Sequence, residues 1–268
     1  MANWTSDDER NLRVAVQLLE HPSLVARLGD VIGGPIERGI SLLPANWREG
    51  VAIASKTALF KALAMAVKTL GTKSSKPGES EFWHKVAVTA SGATGGLFGL
   101  AAIAVELPVS TTLMLRSIAA IARKEGEDLQ SLDARLQCLE VFAFGAERGI
   151  TGGAESGYWT VRVALSRAVT EAGTFLAERG IVEESAPPLV RLITAIAARF
   201  GMVVSEEVAA KAIPVIGAVS GATINYLFMD HFQKMAKGHF IVRRLERTHG
   251  QGVVREQYDA IVKQSGGW

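Results

Sequence analysis

The sequence predicts an all-α protein, a single-domain helical bundle with two glycine- and alanine-rich apolar hairpins at its centre. Apolar residues recur at helical spacing along much of the chain, for example at Leu165 and Val169. Residues 86–115 contain one charged residue, Glu106, and residues 212–229 contain none. Two long uncharged stretches between amphipathic segments are typical of a bundle whose most apolar helices are buried.

Both apolar stretches contain small residues at a spacing that favours close helix packing. Glycines recur four residues apart at Gly92 and Gly96, Gly95 and Gly99, and Gly217 and Gly221. On a helix, this spacing leaves a bare groove into which a second backbone fits, the pattern called a glycine zipper. The tetrapeptide at residues 91–94 also recurs letter for letter at 220–223. Chance and a pseudo-symmetric pair of hairpins both explain the repeat.

Helix-capping and helix-breaking residues indicate where the predicted helices begin and end. Helices are expected over about residues 7–20, 22–28, 35–43, 47–70, 81–107, 108–124, 126–144, 158–178, from 189, from 205, and around 254–261. Pro108 disfavours helical geometry at Leu107, which predicts a break between two helices there. The apolar-free run at residues 71–80 predicts a loop between an entry arm, 1–75, and a core, 80–265. Together they are expected to form one continuous domain over residues 10–260.

Composition limits the classes of partner and the compartment. Of 268 residues, 48% are hydrophobic and 21% are charged, which is enough to bury a core and argues against disorder. The 29 basic and 27 acidic residues produce no strong field that would select nucleic acid. The single cysteine, Cys138, excludes an internal disulfide and lies in an apolar run that predicts burial. The first residues show no secretory signal, so a cytoplasmic protein is expected.

The sequence leaves membrane contact open. Residues 86–105 are long enough to cross a bilayer, but their Gly, Ala, Ser and Thr content makes insertion marginal. This composition favours a buried soluble core over conditional insertion, and favours both over a permanent span. Lys56, Lys61 and Lys68 on the helix at 47–70 are interpreted as a solvated face, with contact at a membrane surface as the alternative.

Polar residues inside or beside the apolar stretches are the candidate site. The chain contains no complete GxSxG, HExxH, GxxxxGK[ST], CxxC or GxGxxG motif, so the standard nucleophile, zinc and nucleotide signatures are absent. Glu106 requires a partner, because an unpaired buried carboxylate is costly. Ser110, Thr111 and Thr112 are the expected hydroxyl neighbours in a functional pocket, and a structural pair or cap is the alternative. The candidate binding residues are Glu106, Thr111, Arg116, Lys211, Asn225, Asp230 and His231.

Metal ligation by Asp230, His231 and His239 is a further interpretation of these residues. No paired spacing supports it, so no metal and no cofactor are predicted.

These motifs resemble the EcsC protein family. The first similar run comprises residues 95–97, 106–112, 116–119 and 126–129, and the second comprises residues 211–218, 221–222, 225, 231–232, 236 and 238–240. Residues 29–35 and Pro44 fit as well, so the resemblance covers most of residues 10–260. Glu106, Pro108, Thr111, Arg116, Lys211, Pro214, Gly217, Gly221 and Asn225 match the family's motifs.

The resemblance implies a bacterial protein that works at or near the inner membrane. The family is named after the third gene of an operon that encodes an ABC transport system. Some relatives are labelled proteases, a label that no motif in this chain supports. The function expected is a non-catalytic accessory or interaction protein that binds a lipid or a transporter component, with self-association left open. The alternatives are a hydrolase using Glu106, Lys211 and Asn225 between the hairpins, and a protein whose hairpin inserts into a membrane on a trigger.

Overall fold

The computed structural model describes residues 4–20, 24–32, 43, 46–70, 99–146, 157–212 and 221–264. Within them, nine α-helices, one short 3-10 helix and no strand are found, so the prediction of an all-α bundle is confirmed. The helices are α1 Ser6–Glu20, α2 Leu24–Ile32, α3 Trp47–Thr69, α4 Gly99–Lys124, α5 Leu132–Glu140, α6 Gly157–Arg179, α7 Pro187–Ala212, α8 Gly221–His249 and α9 Gln251–Gln264. The 3-10 helix Val141–Ala143 follows α5 directly.

The longest helix, α8, organises the packing. It lies against α1, α2, α4, α7 and α9, while α3 packs against both α4 and α7. Four phenylalanine rings connect the 3-10 helix, α7 and α8 at centroid distances of 5.2 to 6.2 Å: Phe142, Phe200, Phe228 and Phe232. Tilted and edge-on contacts of this kind are the favoured aromatic geometries, and they fill the centre of the bundle.

Contacts along the helices show which ends lie together. The Arg123 guanidinium donates to the Leu70 carbonyl at the ends of α4 and α3, so these two helices run in the same direction. Helix α4 contacts α8 at two points: Glu106 with Asn225, and further along both helices Ser117 with Gln233. Because residue numbers increase together in the two helices, α8 is also parallel to α4. The first turns of α3, α4 and α8 therefore lie at one end of the bundle. We call it the Glu106 end.

The predicted break at Pro108 is wrong. Helix α4 runs without interruption from Gly99 to Lys124, with Pro108 buried inside it. A proline at this position removes only the hydrogen bond to the carbonyl of Ala104, four residues earlier. Ala104 lies on the exposed side of α4, where water can solvate that carbonyl. The structure therefore accommodates the proline at the cost of one backbone bond.

Two further predicted helix starts are wrong. A helix was expected to open at Gly126, but Gly126 has a φ of +82° and ends α4, with the Glu127 amide donating to the Ala122 carbonyl at 2.9 Å. The next helix, α5, begins only at Leu132. A cap was also expected at Ser205, but α7 continues through it, and its hydroxyl donates to the Gly201 carbonyl at 2.6 Å. A serine satisfied within the helix provides no stop signal.

The other elements follow the sequence closely where they are described. Helices α1, α3, α6 and α9 lie within a few residues of their predicted limits, and α2 extends past its predicted end, to Ile32. The stripe predicted after residue 189 is buried on α7. The predicted helix at 35–43, apart from Leu43, lies outside the described residues, as do residues 86–98 and 213–220 of the two glycine-rich hairpins.

Candidate functional site

Three of the candidate residues converge at the Glu106 end. The Lys211 ammonium donates to Glu106 Oε1 at 3.1 Å, and the Asn225 amide donates to the same oxygen at 3.3 Å. Glu106 lies in the second turn of α4, Lys211 at the end of α7, and Asn225 in the second turn of α8. The expectation that Glu106 needs a partner is met by residues more than one hundred positions away in sequence. One carboxylate thus joins three helices.

A fourth residue, Glu207, completes the cluster. It lies one turn before Lys211 on α7, and its Oε1 is 2.9 Å from the lysine nitrogen. Burial raises the pKa of Glu207, and the nearby Lys211 opposes that shift. Burial alone would lower the pKa of Lys211, but the carboxylates of Glu207 and Glu106 outweigh it and raise that pKa above its ordinary value. Lys211 therefore remains protonated at neutral pH.

The expected hydroxyl neighbours do not surround the Glu106 carboxylate. The hydroxyls of Ser110 and Thr112 donate to carbonyls of their own helix, at 3.1 and 2.8 Å. Thr111 is fully buried, and its hydroxyl has no partner among the described residues. The structure replaces the predicted hydroxyl pocket with an ion-pair clamp of Glu106, Lys211 and Glu207.

Asp230 and His231 lie further along α8 and face different neighbours. The Asp230 carboxylate pairs with Arg27 of α2 and with Lys234 one turn later. His231 is buried, and burial lowers its pKa to about 4, so its imidazole is neutral at pH 7. Its Nε2 faces Gly145, where an added Cβ would lie only 2.4 Å away. Neither side chain contacts the clamp.

Arg116 and the residues weighed for a metal lie apart as well. Arg116 is exposed on α4, ten residues after Glu106, and makes no ion pair with a described residue. His239 is fully buried and bonds through Nδ1 to the Tyr158 hydroxyl at 2.9 Å. Asp230, His231 and His239 therefore do not meet. In the described part of the chain, no group of three or more His, Cys, Asp or Glu side chains is arranged to hold a metal ion.

A second polar cluster was not anticipated from the sequence. The buried Glu20 carboxylate, at the end of α1, accepts hydrogen bonds from the Gly157 amide at 3.1 Å and the Tyr258 hydroxyl at 2.8 Å. It thereby caps the start of α6 from another helix and binds α9. In the sequence, a buried glutamate in the last turn of an amphipathic helix cannot be distinguished from a solvent-exposed glutamate at the same position. The residues buried around it determine its role.

Charged residues beside α5 form the other buried network. Arg162 pairs with Glu246 through two hydrogen bonds, at 2.8 and 3.2 Å, and lies 4.9 Å above the Trp159 ring. Arg243 binds both Glu127 and Asp133. Burial raises the pKa of Glu140 to about 7, although Arg162 and Arg243 oppose the shift. From the sequence, Arg243, Arg244 and Arg247 are expected to form a solvated basic helix face, and this expectation is wrong for Arg243, which is paired with two acids.

The bundle also contains helices that are unusually apolar. Among the residues that the structure describes, three stretches could cross a membrane by length and composition alone: Trp47–Thr69, Ile103–Lys124 and Pro187–Lys211. In each, fewer than half of the residues in the most apolar window are buried within the bundle. Among the exposed large apolar side chains, Ile53, Val105 and Val109 lie in two of these stretches and Tyr226 lies on α8, all toward the Glu106 end.

The comparisons with known proteins agree with the resemblance in sequence. No curated protein and no solved structure matches the chain. The model of the EcsC protein family matches residues 33–245, which include α3 to α7, most of α8, the three residues of the clamp and Asn225. The chain belongs to the EcsC protein family.

Proposed function

We propose that this protein is a non-catalytic interaction protein that works at the surface of a membrane. The observation that carries the proposal is the exposure of a large apolar side chain in the second turn of each of three helices, α3, α4 and α8, at the Glu106 end. Val105 is 66% exposed, and Ile53 and Tyr226 are each 59% exposed. Exposed apolar clusters on soluble proteins are typical of surfaces that bind a partner or a lipid bilayer.

Two features of the sequence support a membrane as that partner. Residues 86–98 lead into α4, and residues 213–220 connect α7 to α8, so both join the bundle at the Glu106 end. Neither segment contains a charged residue. An end that combines exposed apolar side chains with uncharged flanking chain is favourable at the boundary between water and lipid.

The clamp favours a structural role over catalysis. A general base must be able to accept a proton at neutral pH, and Lys211 is held protonated between two carboxylates. Glu106 accepts hydrogen bonds from Lys211 and Asn225, and no described hydroxyl or thiol donates to it. These contacts hold the ends of α4, α7 and α8 together.

Flotation on vesicles tests the proposal. Purified protein is mixed with lipid vesicles and centrifuged through a density gradient, and we expect it to rise with the lipid. Glu106→Gln keeps an acceptor for Lys211 and Asn225, so this variant should float as the wild type does. Recovery of the wild type wholly in the lipid-free fraction, at every lipid composition and pH, would overturn the proposal.

One specific observation favours a hydrolase as the second candidate. The three polar residues that such an enzyme needs, Glu106, Lys211 and Asn225, do converge on one oxygen. Under this alternative, Glu106→Gln abolishes hydrolysis of ester or amide substrates while folding is retained. Under the membrane proposal, the variant and the wild type show the same background rate.

A further inference from the structure

Two buried histidines of α8 pack against neighbouring parts of the chain. His231 is 3% exposed, and its Nε2 faces Gly145, which lies just after the 3-10 helix. His239 lies two turns later on α8 and is fully buried. Its ring is 5.1 Å from that of Phe144, and its Nδ1 is 2.9 Å from the Tyr158 hydroxyl oxygen. The two histidines therefore join α8 to the chain after the 3-10 helix and to the first turn of α6.

Each of these rings has one nitrogen, Nε2, with no hydrogen-bond partner among the described residues. A neutral imidazole carries one N–H, whereas the protonated ring carries two donors and no acceptor, whichever tautomer it started from. A Cβ on Gly145 would lie only 2.4 Å from Nε2 of His231, so that ring packs directly against the glycine backbone. Protonation therefore creates a buried charge with an unsatisfied donor, which favours any arrangement in which the ring reaches water.

The charges around His231 do not offset an added proton. Three charged groups act on it, and their sum is positive: Arg27 of α2, and Asp230 and Lys234 of α8. Asp230 pairs with both cations, so its carboxylate is already shared. Burial, assisted by the two cations, lowers the pKa of His231 from 6.5 to about 4 against the opposing effect of Asp230. The packed arrangement therefore loses stability as the pH falls from 6.5 toward 4.

The surroundings of His239 are equally unfavourable for a positive charge. The titratable and charged groups near it are Glu20 of α1, Glu140 of α5, Tyr158 and Arg162 of α6, Arg243 and Glu246 of α8, and Tyr258 of α9. Burial and the two arginines hold the pKa of His239 well below its ordinary value. Glu140 supplies no counter-charge in mild acid, because burial raises its own pKa to about 7. Glu20 and Glu246 already accept hydrogen bonds from α6.

From this arrangement we propose that His231 and His239 form an acid-sensitive latch on α8. With both rings neutral, α8 stays packed against the chain after the 3-10 helix and against the first turn of α6. When the rings gain protons in mild acid, these contacts open, and the aromatic side chains Phe144 and Tyr158 become accessible to water. The latch is independent of the proposed function, because its opening requires no lipid.

Binding of an apolar fluorescent dye across a pH series tests the latch. Purified protein without lipid is mixed with the dye between pH 7.5 and pH 4.5. We expect dye binding to rise as the pH falls below 6, while circular dichroism shows unchanged helix content. Each pKa unit is a tenfold change in an equilibrium constant, so the shift from 6.5 to about 4 at His231 alone favours the open arrangement up to about 300-fold.

Glutamine variants identify the groups responsible. The double variant His231→Gln, His239→Gln keeps polar side chains that cannot gain a proton, so it should bind no additional dye at pH 5. His249→Gln is the matched control, because His249 is also buried on α8 but its Nε2 lies 3.2 Å from a carboxylate oxygen of Asp8. The control should open at the same pH as the wild type. Opening of the double variant at the wild-type pH would overturn the latch.

Histidine NMR on the wild type provides a test that does not depend on how the variants fold. The imidazole signals of His231 and His239 should remain those of neutral rings at pH 6 and should change over the same pH range as dye binding. Titration of both rings near pH 6.5 without dye binding would overturn the proposal, as would dye binding while both rings stay neutral. Loss of helix content together with dye binding would show global unfolding and would overturn local opening.

Discussion

Lys211 shows how a charged residue is kept beside an apolar helix end. Its ammonium lies between Glu207, which is 7% exposed, and the more exposed Glu106. The sequence predicted that Glu106 would need a partner, because a carboxylate in an apolar stretch is costly alone. It did not reveal Glu207, whose position resembled that of a residue in a helix cap. The need for a partner to Glu106 could be inferred from its charge. The part played by Glu207 could not, because it depends on the path of α7.

Replacing Lys211 tests whether the buried Glu207 depends on its positive charge. We expect Lys211→Met to lower the free energy of unfolding by about 1–3 kcal/mol, because Glu207 is left buried without its cation. The double variant Lys211→Met, Glu207→Gln should recover at least about 1 kcal/mol, as measured by urea denaturation at pH 7. Lys234→Met, which breaks a more exposed pair with Asp230, is the control and should cost no more than about 1 kcal/mol. Equal losses for the two single variants would contradict the clamp.

Glu140 should make stability depend on pH. Burial raises its pKa from 4.5 to about 7, so the folded state binds this proton more tightly than the unfolded state does. Its contribution is present below pH 4.5 and is lost as the pH rises to 7. Relative to Glu140→Gln, the wild type should lose about 3 kcal/mol over that range. Urea denaturation of both proteins at pH 5, 6, 7 and 8 checks this, and a difference that does not change with pH would contradict it.

At the scale of elements, local signals predicted some helix limits correctly but not whether a helix continues through a proline or a serine. Ser6 and its following acids marked α1, and glycine at 180 marked the end of α6. Pro108 and Ser205 were read as boundaries, yet α4 and α7 continue through them. Whether a proline stops a helix depends on where the freed carbonyl faces, and that follows from packing. The charged network around Arg162 was missed for the same reason, since burial is decided by the neighbouring helices.

Gly238 sets how closely α1 and α8 approach. A Cβ at this position would lie 2.7 Å from Leu19 Cγ and 3.2 Å from the Ala15 carbonyl oxygen. We expect Gly238→Ala to lower the free energy of unfolding by about 1–3 kcal/mol, because the two helices must move apart. Gly252→Ala is the matched control, since nothing lies within 4 Å of its Cβ, and it should raise helix stability by about 0.5–1 kcal/mol. A gain from both substitutions, measured by thermal denaturation, would contradict the close approach.

At the scale of the whole molecule, helices from the beginning and end of the chain pack together. Helix α1 contacts α8 and α9, and Glu20 of α1 accepts a hydrogen bond from Tyr258 of α9. Both α1 and α9 lie outside the 33–245 region matched by the family model. Helix α2 lies outside it too, so the described family region is extended in this chain by three helices, each of which contacts its longest helix.

The entry arm, 1–75, and the core, 80–265, should accordingly unfold together. Helix α3 belongs to the predicted arm, yet it packs against both α4 and α7 and buries Leu59 and Leu63 completely. Separating the arm would expose that surface, so we expect a single calorimetric transition in which the calorimetric and van't Hoff enthalpies agree. Tyr258→Phe, which removes the hydroxyl bound to Glu20, should lower the midpoint of that transition without splitting it. Two resolved transitions in the wild type would instead establish the arm as a separate domain, because each unit would then retain its own core when the other unfolds.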